Sequence, residues 1–392
     1  MANTLTAIVN NVYTRLLNAP KAVRGVLDAV SMDLDGTPVD IGQPLVVPTV
    51  GAKTSGAWAP RMYETSVGDQ TAGSISLSLA GAEAVFNLTD AERGNLLRTG
   101  DAAYESFFQQ NIQECLAANS ATVGAAAITA LKQGAARASG TAGTTPFASD
   151  TSDLETAKYH LKLNGCPQID LVSVLSSKAW LNFRNLGIVQ QASLNGGADR
   201  KTGLLTTESG FELYEDFGIS SHTKGTATGE DILGTGGFAI GDTSIVFDGA
   251  NSGTVLAGDI ITFAGDTGDL DSAAYKYVVS GLTANTLTGA ATGTVYLGRP
   301  GLRTAIAETT EATIGANYTP SFCFTRSALK SVVRPVSCNV GGQVVGVSII
   351  QDQYGLPATL LEIRGTGMSV FAVAQAYGFK VVKPYGVHII LG

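Results

Sequence analysis

Charge is scarce in this sequence. Asp, Glu, Lys and Arg make up only 15% of its 392 residues, and 33 acidic against 25 basic side chains leave a net charge of −8. A dedicated nucleic-acid binder needs clustered Lys and Arg against phosphates, so this balance argues against one. Histidine is scarcer still. His160, His222 and His388 lie far apart and no G-x-S-x-G elbow accompanies them, so a serine triad is not expected. The four cysteines, Cys115, Cys166, Cys323 and Cys338, form no C-x-x-C pair and have no histidine nearby. They read as reduced thiols, with zinc not expected. The first residues lack a basic stretch followed by an apolar core, so no secretory leader is expected. No run approaches the ~18 apolar residues of a membrane span. A G-x-x-x-x-G-K phosphate loop is also missing, and Gly234-Thr235-Gly236-Gly237 and Gly365-Thr366-Gly367 resemble one only superficially.

What is present is apolar: 44% of residues are hydrophobic. A low-charge surface suits a subunit that neighbours will cover, although an apolar enzyme shares the composition. The length predicts two or three lobes. Residues 3–18 read as an amphipathic helix, with Leu5, Ile8, Val9, Val12 and Leu16 on one face and Asn3 or Thr4 as cap, until Pro20 disturbs it. Arg15, Lys21 and Arg24 precede any acidic residue, so this arm is locally basic. It either packs on its own domain or meets an acidic partner. From Gly36 to Ala80, repeated Pro and Gly exclude helix. Leu45–Val50 and Ser74–Leu79 survive as strands of a long two-stranded excursion, which needs a partner surface.

Thr89-x-x-Glu92 is a capping box, and a long helix follows from about Ala102 to Gln133. Its stripe is Tyr104, Phe107, Phe108, Ile112, Cys115 and Leu116. After a Gly/Thr/Ala/Ser linker over 136–151 come a helix (Asp153–Leu163), a strand (Ile169–Leu175), a helix (Ser177–Leu186) and a solvated loop around 194–201. Residues 231–315 change to short β pieces between Gly/Asp/Thr turns, which suggests a small antiparallel barrel or sandwich. Trp58 and Trp180 read as packing residues.

One enzyme motif must be weighed. Met32-Asp33-Leu34-Asp35-Gly36-Thr37 matches the D-x-D-G-T signature of haloacid-dehalogenase-like phosphohydrolases. There the first aspartate attacks phosphorus, the second is general acid/base, and magnesium joins them. Gly265-Asp266, with Asp269 and Asp271, resembles that family's metal motif. The spacing is out of register, Ala29–Met32 is short for a buried strand, and alternating βαβ units are missing. Two aspartate-capped turns are the simpler reading. Asp266, Asp269 and Asp271 also lack the spacing of known calcium loops. No catalytic, cofactor-binding or metal-binding residue is assigned, and no cofactor is expected.

The most telling stretch is residues 210–225, Gly-Phe-Glu-Leu-Tyr-Glu-Asp-Phe-Gly-Ile-Ser-Ser-His-Thr-Lys-Gly. It resembles the segment that leads into the inserted β-domain of podovirus-type major capsid (coat) proteins of tailed phages. VGDQTAGSISLSLAGAEAVFNLT is similar to the returning strand of their extended loop, and TVLAGDIITFAG to their inserted domain. Phe322–Val336 is like their returning A-domain helix, ended before Pro335. Ala358–Arg364 and Phe371–Val382 are like the strands that complete their peripheral sheet.

The resemblance implies an α+β fold, the tailed-phage major-capsid fold with an inserted antiparallel β-barrel. Its expected parts are an N-terminal arm (1–44), an extended β-hairpin loop (45–85) and a peripheral domain with spine helix (86–140). An A-domain in two parts (141–230 and 316–350) flanks the inserted barrel (231–315), and C-terminal strands (351–392) complete the peripheral sheet. It further implies a non-enzymatic major capsid protein that self-assembles, through hexamers and pentamers, into an icosahedral shell around phage double-stranded DNA. A scaffolding protein and a portal are the implied partners, with no sequence-specific DNA binding and no membrane. The implied location is the virion capsid, assembled in the host cytoplasm. The alternatives are the magnesium-dependent phosphohydrolase on Asp33 and Asp35, and a β-rich phage tail or surface-binding protein.

Overall fold

The computed structural model describes residues 24–42, 44–50, 72–190, 207–227, 229–231, 237–247, 253–266, 274–282, 293–337, 344–352 and 354–392. The expected helix over 3–18, the tip of the two-stranded excursion, the loop at 194–201, Trp58, Cys338, Asp269 and Asp271 lie outside these residues.

In chain order, α1 (Gly25–Ala29) and β1 (Met32–Asp33) precede a ribbon of β2 (Pro44–Val50) and β3 (Ala72–Ser78). Then come β4 (Ala80–Thr89), α2 (Asp90–Thr99), α3 (Asp101–Gly134) and β5 (Arg137–Ser139). Next are α4 (Ser152–Leu163), β6 (Leu171–Ser176), α5 (Ser177–Asn185), α6 (Gly187–Gln190), β7 (Thr207–Glu208) and β8 (Phe211–Asp216). A run of short strands follows: β9 (Gly229–Asp231), β10 (Ser244–Phe247), β11 (Ile260–Phe263), β12 (Lys276–Leu282), β13 (Gly293–Leu297) and β14 (Glu311–Ile314). The rest is β15 (Pro320–Thr325), β16 (Leu329–Pro335), β17 (Val344–Gln351), β18 (Pro357–Gly365), β19 (Met368–Val381) and β20 (Val387–Leu391). The fold is α+β.

A first sheet is organised on β19. One edge of β19 pairs antiparallel with β4 from Met368 to Tyr377. The other edge pairs with β18 up to Ala374 and with β16 from Gln375 onward. β17 extends the sheet beyond β18, and β1 lies parallel to β16.

Helix α3 covers one face of this sheet. Its 34 residues span roughly 50 Å at 1.5 Å per residue. Phe86 stacks on Phe371 at 5.1 Å, and Phe108 meets their rings edge-on at 5.7 and 4.8 Å. The buried Asn119 side chain donates to Val373 O at 2.8 Å, tying the helix to the sheet. By length and composition Tyr104–Gly134 is apolar enough to cross a membrane, which corrects the expectation that no run comes near that. In the fold, its apolar stripe is spent on β4 and β19.

The capping box that opens α2 has both halves in place. Thr89 Oγ1 accepts from Glu92 N at 3.2 Å, and Glu92 Oε2 accepts from Thr89 N at 2.9 Å. The ribbon pairs Pro44–Val50 with Ala72–Ser78. Both of its prolines, Pro44 and Pro48, are tolerated because β2 has a free edge among the described residues.

The second sheet runs β7-β8-β6-β15-β20-β5-β12-β11-β14-β9, with β13 also on β12 and β10 on β13. Its first part, β8 parallel to β6 and flanked by α4 and α5, matches the expected α/β alternation within two residues. Strands β9–β14 are antiparallel and share their own core of Ile245, Phe247, Ile261, Phe263, Tyr277, Val279, Val295 and Leu297. Among the described residues no pairing joins β9 to β10. Among the described residues the path is open, and β5 makes it continuous with the rest of the second sheet.

Two expectations are corrected. Phe322–Val336 is not a helix but β15, a short turn and β16. All six residues of β15 are buried, and a short apolar run covered on both faces has no periodicity to separate strand from helix. β15 lies in the second sheet and β16 in the first, so residues 316–350 do not stay within one lobe. Residues 351–392 do not all complete the first sheet either. β20 crosses into the second, between β15 and β5, where its five buried residues suit a strand covered on both sides.

We expect Thr89→Ala, which removes one half of the capping box, to lower unfolding free energy by about 1 kcal/mol. Urea denaturation should show the shift in midpoint with the slope unchanged.

Candidate functional site

The aspartate motif folds as a brace. Asp33 ends the two-residue β1 and accepts from Arg334 of β16 at 3.0 Å, while Asp35 lies 3.7 Å from the same guanidinium. Asp35 also takes Thr37 N and Thr37 Oγ1, at 3.2 and 3.0 Å, as an aspartate turn does. These Thr37 bonds, helped by Arg334, hold the Asp35 carboxyl below its ordinary value. Both side chains are about half exposed. Asp266 belongs to the second sheet, buried at the end of β11, where it accepts from Tyr277 Oη at 3.1 Å. Asp33 and Asp266 thus sit in separate sheets. Among the described residues no group of three or more His, Cys, Asp or Glu gathers as a metal site.

The histidines depart from the sequence reading. His160 of α4 and His388 of β20 are brought together, ring centroids 4.9 Å apart and planes 11° from parallel. Nothing in the sequence signals this pair, because it depends on where β20 inserts. His222 makes a structural hydrogen bond, Nε2 lying 2.8 Å from Asp259 Oδ1.

That bond belongs to a knot where the β9–β14 segment leaves and returns. His222 N donates to Tyr318 O at 2.7 Å, and Tyr318 Oη donates to Gly258 O at 2.6 Å. The buried Asp259 also accepts from Gly225 N and Leu256 N at 3.1 and 2.7 Å. Burial and the neighbouring Asp259 push the Tyr318 hydroxyl well up. Cys115, Cys166 and Cys323 are free and buried, and Trp180 is half-buried against Phe183. Gly365–Gly367 is the hairpin turn between β18 and β19, with Gly367 at φ 77°. It is a chain reversal and not a phosphate cradle.

What the molecule offers instead is surface and anchorage. α1 is wedged where both sheets and α3 meet: Val26, Leu27, Ala29 and Val30 are buried against Val123, Ala127, Val172, Phe324 and Leu356. The fully buried Asp216 of β8 caps it from outside, accepting from Val26 N at 2.9 Å and Gly218 N at 2.6 Å, with Arg24 at 3.9 Å. Burial pushes the Asp216 carboxyl up, against the pull of those amides and Arg24. Arg24 N donates to Tyr354 Oη at 3.0 Å, fixing the point from which residues 1–23 depart. The fit at β8 is close: a Cβ on Gly25 would lie 2.2 Å from Glu215 O.

The β2–β3 ribbon is held from one side by Leu45 and Leu77, packed with Leu79, Val39 and Val332. Its other side carries Val46, 59% exposed. Val85 of β4 and Val347 and Ile349 of β17 are also more than half exposed. The chain therefore presents apolar side chains on a ribbon and on two edge strands.

No protein-family model and no curated protein matches the chain. Several solved structures do, over nearly its whole length. One is from Mycobacterium phage Che8, at 14% identity over 99% of this chain and 91% of that one, with a TM-score of 0.44. The capsid of the cyanophage P-SCSP1u matches at 10% identity over 95% and 89%, TM-score 0.48. The capsid of a native GTA particle matches at 9% over 100% and 99%, TM-score 0.44.

Gly25→Ala should undock α1 from β8. The expected result is a stability loss of about 2 kcal/mol and faster proteolysis around residues 24–30. Asp33→Asn, at an exposed ion pair, should change stability by less than about 1 kcal/mol. A larger loss in chemical denaturation would mean the brace is structural to a degree its exposure does not suggest.

Proposed function

We propose that this chain is the major capsid protein of a tailed phage or prophage, a structural subunit with no catalytic role. The observation that carries the reading is the β2–β3 ribbon. A two-stranded ribbon is marginal alone, and this one has no further strand beside it among the described residues, with Val46 exposed opposite Ser76 on its outer side. A neighbouring copy supplies the missing surface. The spine-like α3 under a sheet, the α/β lobe around β6 and β8, and the antiparallel strands placed between β8 and β15 occur in the order the sequence resemblance implies.

In this reading the arm and the ribbon are the contacts between subunits, and the β9–β14 segment is the inserted domain. It faces outward or sideways, touching neighbours across capsomers. Subunits form hexamers and pentamers, and the shell closes around double-stranded DNA that it encloses without reading its sequence. The basic residues Arg15 and Lys21 suit an acidic scaffolding partner inside a procapsid assembled in the host cytoplasm, with a portal at one vertex. Each interface would bury on the order of 1,000 Å² or more, repeated over the shell.

Purified protein examined by light scattering and negative-stain microscopy tests this. Shells, tubes or capsomers in the megadalton range are expected, from the chain alone or with its scaffold. A lone monomer with magnesium-dependent phosphatase activity that Asp33→Asn abolishes would overturn it. Deleting residues 52–72 should leave a folded subunit, by circular dichroism, that no longer closes shells. Normal shells from that deletion would remove the ribbon from the assembly.

A further inference from the structure

β5 is the strand through which the two parts of the second sheet are joined, parallel to β20 on one side and antiparallel to β12 on the other. All three of its residues are buried, and one of them is an arginine. Arg137 is 1% exposed, with its guanidinium 4.7 and 4.8 Å from the ring centroids of Tyr275 and Tyr277. Its Nε donates to Asn164 Oδ1 at 3.2 Å and its Nη2 to Gly301 O at 3.1 Å.

Two residues along β5, Ser139 Oγ lies 2.9 Å from His388 Nε2, and His388 is stacked on His160. His388 is 0% and His160 1% exposed. His388 Nδ1 has no hydrogen-bond partner among the described residues. A permanent cation and two titratable rings from three different elements thus share one dry compartment. Stacked imidazoles tolerate one another while neutral. A charge on either ring meets low dielectric, the other ring and the guanidinium together.

The other polar and charged groups on these elements are exposed or already hydrogen-bonded. Cys323 lies opposite His388 on β15; its thiol is bonded to Ser173 and pushed up to about 12, chiefly by burial. The Asp153 carboxylate takes Phe147 N at 2.8 Å. On α4, Glu155 and Lys162 are exposed and Lys158 reaches Ser209 O at 2.6 Å. Lys276 of β12 donates to Gly140 O at 2.7 Å, and Tyr277 Oη joins Asp266 and Arg303 N.

We propose that the His160–His388 stack beside Arg137 is an acid-responsive catch on β5. Protonating one ring drives β5 away from β20 and frees the β9–β14 segment, which keeps its own core, to move against the rest of the second sheet. Burial, then His160 and Arg137, hold the His388 ring well below its ordinary value. A folded value that is depressed gives stability that is present above the unfolded value near pH 6.5 and lost as pH falls below it, by about tenfold in opening equilibrium per pH unit.

Hydrogen exchange read by mass spectrometry on the full chain, corrected for the intrinsic rate, tests the catch. Between pH 6.5 and 5.5, amides of β5, β12 and β20 should lose protection about fivefold while β18 and β19 hold theirs. Equal protection at both pH values overturns the proposal, and so does an acid response that persists in the H160Q/H388N double variant folded by circular dichroism. A variant that fails to fold does not end the test, because exchange at the imidazole C2 position of the unaltered protein reports each ring directly. His388 silent until opening begins supports the catch. A midpoint near pH 6.5 for His388 with the fold intact overturns it.

Discussion

Strand β19 spans fourteen residues, longer than any one of its partners, and every backbone group along it needs a mate. On one edge β4 supplies most of the length. On the other, β18 and β16 meet end to end, so one strand fixes the relative position of segments that are distant in sequence. α3 can lie across this sheet only because Phe371 and Val373 present a continuous apolar strip with Phe86, Ala84 and Leu360. The opposite face carries a row in register, Val85, Ala372, Leu361 and Val347, whose two outer members are exposed. Everything placed by the first sheet, including the ribbon and β1, inherits its geometry from β19.

Few charges are available, and three of the buried ones stand at joints. Asp216 pins α1 to β8, Asp259 ties the root of the β9–β14 segment, and Arg137 sits on the strand that connects that segment to the second sheet. Each one binds backbone groups that no strand or helix would otherwise satisfy. Cores hold each lobe together through apolar contact alone, and polar groups specify how the lobes meet.

Sequence alone made the local elements legible and the long-range ones poorly so. The capping box at Thr89 and Glu92 and the stripe from Tyr104 to Leu116 carry their own periodicity, and α3 falls within one residue of its expected ends. The alternation in Ser74–Leu79 and the prolines of β2 identified the ribbon. Phe322–Val336 misled because a short, wholly buried strand shows no alternation. Where β20 inserts, and hence that His160 meets His388, is set by sheet order, which no window of sequence contains. The Asp33 and Asp35 pair was legible as turn chemistry, and Arg334, its partner across the sheet, was not. Arg137 gave no sign of burial, since its two tyrosines come from another segment of the chain.

The order of strands along the chain has a consequence for how the protein is made. β20 lies between β15 and β5, bonded to both, yet it follows every other described strand in sequence. A ribosome therefore delivers β5, β6, β8 and β15 before the strand that joins them. Until it emerges, β15 and β5 have open edges facing one another and the second sheet is in two pieces. The second sheet is therefore completed only once its last described strand has emerged and taken its place between them.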